Sequence, residues 1–201
     1  MKQKTYVLGT NNRKKGLELQ ELLLPCGIEL KTLSDFNRKL DVVEDGTTFA
    51  ENARKKASEQ AKFLDQWVIA EDSGICVDAL KGSPGIFSAR FSGENGNDDM
   101  NNELLLEKLA DVPRDLRTAY YTCYAAVASP DGTIVAESQG FCRGLIRHEL
   151  HGSGGFGYDP LFEIVEYHKT FGELDPTVKQ LISHRSRAIR SLIPMLVGGS
   201  F

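Results

Sequence analysis

Several features that would place a protein in a membrane or outside the cell are absent from this sequence. No apolar run approaches the roughly 18 consecutive residues that a membrane-spanning helix needs. The opening residues, MKQKTYVLGT, pass directly into a strand-like segment without the apolar region of a signal peptide. The sequence therefore predicts a cytoplasmic protein with no membrane partner.

Cysteine and positive charge are also limited. The four cysteines form no Cys-x-x-Cys pair, and three of them lie within apolar segments, where a free cysteine behaves as a small hydrophobic residue. We expect reduced thiols, with neither a zinc site nor a disulfide. The formal net charge of -4 argues against a nucleic-acid polymer as the main partner, because such binding normally rests on an excess of Lys and Arg. A local basic pocket is compatible with this charge.

The remaining composition is that of an ordinary globular chain. Its 201 residues are 41% hydrophobic and 26% charged, which is enough for one large or two small domains. No internal repeat, low-complexity segment or linker interrupts the sequence. We therefore predict a single domain over residues 1–201, with two lobes and a cleft between them.

The order of the predicted elements indicates an α/β fold. The predicted strands cover residues 5–10, 28–33, 67–71, 75–80, 117–129 and 133–146, and the predicted helices cover residues 47–64, 99–110 and 177–197, after a first helix that ends near residue 24. The helix at 47–64 has the clearest start, because Thr48 and Glu51 have the spacing of a capping box. A tight turn at 72–74 separates two strands, and PDG at 130–132 joins the last two in a hairpin. These elements predict a mixed central sheet with a long antiparallel hairpin, flanked by helices.

The segment GTNNRKKG, residues 9–16, lies where the first strand meets the first helix. Free backbone amides at a helix N-terminus, with Lys14 and Lys15 one turn further on, form an anion site. The spacing is not that of a Walker A loop. The alternative is an asparagine helix cap beside solvated lysines.

Acidic residues occur in the segment AEDSG, residues 70–74. A strand end that carries carboxylates is a common place for a magnesium ligand or a general base, and Glu44 supplies a further carboxylate. The alternative is a turn with solvent-facing acids.

Asn52 and Lys56 share one face of the helix at 47–64. Lys56 either lies at the rim of a cleft or is a solvated lysine on the surface of the helix.

Two further segments predict recognition of a flat ring. HGSGGFGYDPLF, residues 151–162, combines glycines that allow close backbone approach with two aromatic rings; the alternative is a turn whose rings fill the core. KQLISHRSRAIR, residues 179–190, brings Ser183, His184 and Arg185 together. Arginine donors match the O6 and N7 acceptors of a 6-oxo purine, whereas adenine would face them with a donor. The alternative is an amphipathic helix with basic residues.

Together these segments resemble the inosine triphosphate pyrophosphatase family, also described as Ham1-like XTP/dITP diphosphatases. The residues that carry the resemblance are TNNRKK at 10–15, EDGTTFAENARKKA at 44–57, AEDSGICVDALKGSPGIFSARFSG at 70–93, GSGGFGYDP at 152–160 and KQLISHR at 179–185. These ordered blocks span nearly the whole chain and are far more specific together than any one alone.

The resemblance implies hydrolysis of ITP, dITP and XTP between the α and β phosphates, with Mg2+ as the cofactor, by a homodimer. It implies Asp72 as general base and magnesium ligand, and Glu44 as the second magnesium carboxylate. Glu71 departs from the family, which more often has Asp at this position. Because its side chain is longer, we expect Glu71 to support the metal ligands rather than to bind the metal itself.

The resemblance also implies which residues bind the substrate. They are Thr10, Asn12, Lys15, Lys56 and Ser73 on the triphosphate, and Phe156, Gly157, Tyr158, Asp159, Lys179, His184 and Arg185 on the base and ribose, with Asn11, Arg13 and Lys14 as further substrate-binding residues. Two alternatives remain open: hydrolysis of another modified nucleotide, and nucleotide binding without hydrolysis. The carboxylates of Glu44 and Asp72 disfavour nucleotide binding without hydrolysis, because a carboxylate is repelled by an anionic triphosphate unless a metal ion lies between them.

Overall fold

The computed structural model describes residues 5–37, 40–93 and 97–198. The strands are β1 Thr5–Leu8, β2 Glu29–Thr32, β3 Trp67–Val77, β4 Thr118–Ala128, β5 Ile134–Ile146, β6 Phe162–Ile164 and β7 Lys169–Thr170, and the helices are α1 Arg13–Leu23, α2 Phe49–Leu64, α3 Asp98–Lys108, α4 Pro176–Ile182 and α5 His184–Gly198. Within the described residues the strands form one sheet in the order β2-β1-β3-β4-β5-β6-β7. β1 pairs in parallel with β2 and β3, whereas β6 pairs antiparallel with β5 and β7. The predicted α/β fold with a mixed sheet is confirmed.

The chain divides into two compact units. Unit 1 comprises the described parts of Met1–Asp72, Cys123–Gly140 and His184–Phe201, and unit 2 comprises those of Ser73–Thr122 and Phe141–Ser183. Each unit has its own hydrophobic clusters. The single domain and the cleft expected from the sequence stay predictions.

Unit 1 buries both faces of its part of the sheet. Along β1, Tyr6 and Leu8 lie in one cluster with residues of α1 and α5, and Val7 lies in another with α2. This is the alternation that a strand imposes on its side chains. The stripe of α2 that meets the second cluster consists of fully buried alanines: Ala53, Ala57 and Ala61. Their small side chains let α2 lie close to the strands.

Unit 2 has a core rich in aromatic rings. The rings of Tyr121 and Phe162 meet edge to face with centroids 4.8 Å apart, and the Phe171 ring lies 5.3 Å from that of Phe162. Pairs of this kind contribute about 0.5–1.5 kcal/mol beyond the area that they bury. Tyr158 belongs to the same cluster. The aromatic core therefore anchors one end of the glycine-rich segment.

The predicted tight turn at 72–74 is wrong, because β3 runs from Trp67 to Val77 without a break. Glu71 and Asp72 are buried within the strand, where nearby cations balance their charges. Gly74 leaves room for Ser88, with which a Cβ at position 74 would collide. Glycine in this strand therefore marks a close approach of another segment rather than a turn.

The predicted helix at 177–197 is in fact two helices. Ser183, between α4 and α5, has an extended backbone with φ -66° and ψ 156°. Serine is a preferred residue immediately before a helix, and α5 begins at the next position. The strand predicted at 75–80 ends at Val77, and a short 3-10 helix covers Asp78–Leu80. The remaining predicted strands and helices agree with the structure to within two residues at each end, whereas β6 and β7 are not predicted. Strands of two or three residues are too short to show a period.

The cysteines are free thiols, and the predicted burial is confirmed for Cys76, Cys123 and Cys142, while Cys26 is exposed. Among the helices that the structure describes, none is long and apolar enough to cross a membrane.

Candidate functional site

In unit 1, Glu44, which precedes α2, and Asn52 and Lys56 on α2 come together at Asp72 on β3. Lys56 Nζ lies 2.9 Å from Asp72 Oδ1 and 3.2 Å from Glu44 Oε2. Asn52, one turn before Lys56 on α2, donates from Nδ2 to Asp72 Oδ2 at 3.2 Å. Donors therefore hold both carboxylate oxygens of Asp72, and one ammonium group joins the carboxylates of Asp72 and Glu44.

Burial and neighbouring charges act in opposite directions on the pKa values of Asp72 and Lys56. Asp72 is only 6% exposed, and burial raises the pKa of its carboxyl group while Lys56 and Lys15 oppose the rise. Burial lowers the pKa of Lys56, but the surrounding carboxylates, chiefly that of Asp72, raise it overall. Lys56 therefore stays protonated at neutral pH, and Asp72 accepts a proton more readily than an exposed aspartate does.

Glu71 faces a different set of charges, as expected for the neighbour of Asp72 on a strand. Its Oε1 lies 3.0 Å from Lys15 Nζ and 3.6 Å from Arg185 Nη2, and the Glu71 side chain is fully buried. Arg185 also pairs with Glu18, three residues after Lys15 on α1. Glu71 thus balances two predicted substrate-binding residues. Glu18 is not predicted from the sequence, although its position three residues after Lys15 places both side chains on one face of α1.

Arg185 is enclosed within unit 1, where its side chain is 3% exposed. Burial lowers the pKa of its guanidinium, but Glu71 and Glu18 outweigh burial and raise it. His184, the first residue of α5, is buried beside it in the chain. The contacts of Arg185 and His184 with a purine stay predictions; in the structure Arg185 lies against Glu18 and Glu71.

The start of α1 has the helix cap that the sequence left as an alternative. The Asn12 side chain accepts from Lys15 N at 3.1 Å, and Thr10 Oγ1 accepts from Asn12 N at 3.1 Å. Asn11 donates to Asp41 at 3.4 Å. A cavity of about 420 Å³ opens here, lined in part by residues 10–13 and 32–34. Arg13 and Lys14 are exposed at this helix N-terminus, so an anion site remains compatible with the cap.

In unit 2, the predicted base-binding loop at 156–159 is held by charge and by ring contact. Asp159 Oδ2 accepts from Phe156 N at 2.8 Å and from Lys179 Nζ at 2.7 Å. Lys179 Nζ also lies 5.0 Å from the centroid of the Phe156 ring, in reach of a cation–π contact. Asp159 is therefore a fixed carboxylate beside a half-buried aromatic ring.

The two rings of the loop have different surroundings, which the sequence left undecided. Tyr158 is buried and donates from its hydroxyl to the Ser88 carbonyl at 2.8 Å. Phe156 keeps part of its surface exposed. Tyr158 thus braces the loop, and Phe156 is the ring able to stack on a ligand.

Ser73 is the remaining residue of the predicted site. It is half-buried in β3, directly after Asp72.

Comparisons with known proteins agree with this fold. The model of the Ham1 family matches residues 6–195, and the chain belongs to the Ham1 family. It is 56% identical to the dITP/XTP pyrophosphatase of Rhodopirellula baltica over 191 residues, covering 95% of this chain and 92% of that protein. It is 50% identical to the dITP/XTP pyrophosphatase of Desulforamulus reducens, covering 94% of each. The solved structure of the Ham1 protein of Staphylococcus aureus matches with a TM-score of 0.87 and 38% identity, covering 98% of this chain and 100% of that one.

Proposed function

We propose that this protein hydrolyses dITP, XTP and ITP to the nucleoside monophosphate and pyrophosphate, which removes deaminated purine nucleotides from the nucleotide pool. Relatives that match nearly the whole chain are named dITP/XTP pyrophosphatases. The observation that carries this function is the buried Asp72 carboxylate, whose two oxygens are held by Lys56 and Asn52. A carboxylate held in one orientation by two donors is suited to accept a proton from water.

In this function Asp72 is the general base. Water attacks the α phosphorus in line, the bond to the oxygen that bridges to the β phosphorus breaks, and the proton of the water passes to Asp72. Lys56 and Asn52 orient the carboxylate, so that little reorganisation is needed when the water reacts. No covalent nucleophile takes part, and pyrophosphate is the leaving group.

We further propose Mg2+ as the cofactor, held by Glu44 and Asp72. These carboxylates lie on either side of the Lys56 ammonium, so they already face a shared positive charge. Over the described ranges, no group of three or more His, Cys, Asp or Glu side chains is placed to hold a metal ion. Two carboxylates fit Mg2+, which proteins commonly bind through one or two carboxylates together with substrate phosphates and water. When bound, the ion offsets charge on the departing pyrophosphate.

The start of α1 supplies the proposed triphosphate site in unit 1. Its first backbone N–H groups and the helix dipole favour an anion. Lys15 adds a positive charge whose position is set by Glu71. Thr10, Asn12 and Lys56 of unit 1 are also assigned to the triphosphate, and Asn11, Arg13 and Lys14 to substrate binding. Ser73, the first residue of unit 2, is assigned to the triphosphate by its position directly after Asp72.

The loop at 156–159 supplies the proposed base site in unit 2. The exposed part of the Phe156 ring stacks on the purine, and Asp159 accepts from ring N–H groups. The salt bridge from Lys179 holds Asp159 in place. The preference for a 6-oxo purine over adenine is assigned to Arg185 and His184 of unit 1, because guanidinium groups only donate hydrogen bonds.

Hydrolysis of another modified nucleotide remains the second candidate, since Phe156 stacks on any flat base. Nucleotide binding without hydrolysis is disfavoured by the paired carboxylates of Glu44 and Asp72. The homodimer and the cytoplasmic location stay predictions.

The proposed role of Asp72 is tested by Asp72→Asn. The amide has nearly the same shape but cannot act as a base, so pyrophosphate release from ITP is expected to fall by roughly two to four orders of magnitude. ITP binding, followed by calorimetry with Mg2+, is expected to persist. Asp111→Asn, which alters an exposed aspartate of unit 2, is the matched control and is expected to keep full turnover. Undiminished turnover in Asp72→Asn would remove Asp72 from this role.

A further inference from the structure

The N-terminal part of α3 holds both backbone polar groups of Gly157. Asp98 Oδ2 accepts from the Gly157 N–H at 2.8 Å, and Asn102 Nδ2 donates to the Gly157 carbonyl oxygen at 3.0 Å. Asp98 and Asn102 are four residues apart and share one face of the helix. We call these two hydrogen bonds the α3 clamp.

Gly157 is the point of the loop that most needs external support. Its φ of +62° lies in the left-handed region, which glycine adopts readily but among many other conformations. It separates the half-buried ring of Phe156 from Tyr158, which the unit 2 core holds in place. Because glycine has no side chain to pack, the hydrogen bonds of its backbone must select one conformation.

α3 is a firm support for this contact. Its Asn101 accepts from Ser92 N and Ser92 Oγ, both at 2.8 Å, and donates to the Ala89 carbonyl at 3.3 Å. Leu105 and Leu109, which follow on the helix and at its end, are fully buried in the unit 2 core. The helix is therefore fixed on two sides, and the α3 clamp transmits that order to Gly157.

We propose that Asp98 and Asn102 are positioning residues for base recognition, which act through Gly157 to keep Phe156 and Asp159 in the arrangement that binds a purine. This role rests on the proposed function, because that function assigns Phe156 and Asp159 to the base. The loop contributes to binding rather than to the proton transfer at Asp72. Loss of the α3 clamp therefore raises KM more than it lowers kcat.

The test measures KM and kcat for ITP in Asp98→Ala and Asn102→Ala. Each change removes one hydrogen bond that orders the loop, and each is expected to raise KM about three- to tenfold. Asp98→Asn keeps an acceptor for the Gly157 N–H and is expected to restore most of the affinity. Asn102→Asp turns a carboxylate toward the Gly157 carbonyl, and its KM is expected to exceed that of Asn102→Ala.

Two neighbours on α3 serve as matched controls. Asp99 is exposed in the same first turn and, within the described residues, makes no hydrogen bond to the loop. Asn101 is as buried as Asn102, each being 3% exposed, but its side chain bonds to Ser92 and Ala89 instead. Asp99→Ala and Asn101→Ala are expected to keep the KM of the parent protein, although Asn101→Ala lowers the melting temperature.

Hydrogen exchange of the ligand-free protein separates failure of this inference from failure of the proposed function. Amides at 154–159 are expected to exchange faster in Asp98→Ala and Asn102→Ala than in Asp99→Ala, whether or not ITP is hydrolysed. Unchanged KM and unchanged exchange in both clamp variants, or an equal rise in KM for Asn101→Ala, would overturn the positioning role. Absence of ITP turnover in the parent protein would instead overturn the proposed function, and with it the assignment of the loop to a purine.

Discussion

Arg117 is a buried cation that bonds to backbone carbonyls rather than to a carboxylate. Its guanidinium donates to the carbonyl oxygens of Leu109, Ile146 and Arg147 at 3.0–3.1 Å, and it lies 2.8 Å from His148 Nδ1. The residue is 1% exposed, and burial lowers its pKa. One side chain thus joins the end of α3 to the end of β5 and to the residues after it.

We expect Arg117→Met to lower the free energy of unfolding by about 3 kcal/mol, because buried carbonyl groups lose their donors. Urea denaturation followed by far-UV circular dichroism measures this change. Arg143→Met is the control, since Arg143 is exposed and lies over the Tyr120 ring with 5.5 Å between its Cζ and the ring centroid. That change is expected to cost about 1 kcal/mol or less. Equal losses in the two variants would contradict the structural role of Arg117.

Among the helices, α2 shows how local chemistry sets an element boundary. Thr48 Oγ1 accepts from Glu51 N at 3.1 Å, as the predicted capping box requires. Glu51 Oε2, however, accepts from Thr47 N at 2.7 Å and from Thr47 Oγ1 at 2.8 Å, one residue before the expected partner. These hydrogen bonds, first that of the Thr47 hydroxyl and then that of its N–H, lower the pKa of the Glu51 carboxyl group.

The lowered pKa of Glu51 makes its contribution to stability depend on pH. The contribution is present above the ordinary glutamate pKa of about 4.3 and is lost as the pH falls through the lower pKa of the folded state. Glu51→Gln is therefore expected to melt at a slightly lower temperature than the parent protein at pH 7, and the difference is expected to close toward pH 3. Glu103→Gln, at an exposed position inside α3, is the control and is expected to leave the melting temperature at pH 7 nearly unchanged. A constant difference at all pH values would contradict the ionic character of the Glu51 contact.

Local patterns predict these elements well where one segment contains all the information. The alanine stripe and Thr48 define α2, and the turn at 130–132 defines the β4–β5 hairpin. The patterns fail at 72–74, because the burial of Asp72 depends on Lys56, which is 16 residues away in the chain. They also fail at Gly157, whose partner Asp98 is 59 residues away. A single sequence predicts residue types for a site, but not which distant segments meet.

At the scale of the molecule, each unit carries a different part of the proposed chemistry. Unit 1 contains the charged groups that we propose for the triphosphate, with Asp72 and Lys56 at their centre. Unit 2 contains the ring and the loop that we propose for the base, with Lys179 bonded to Asp159 and lying near the Phe156 ring. Changes at Asp72 and Lys56 are therefore expected to act mainly on kcat, and changes in the loop of unit 2 mainly on KM.

The most direct test of the proposed function is pyrophosphate release from ITP, XTP, GTP and ATP at equal concentrations, with Mg2+ and with EDTA. We expect rapid release from ITP and XTP that depends on the metal. Release from ATP is expected to be much slower because its 6-amino group would face the donors of Arg185, and the selectivity proposed for deaminated nucleotides requires slower release from GTP as well. No release from any of the four, or equal release from all of them, would contradict a pyrophosphatase selective for deaminated purine nucleotides.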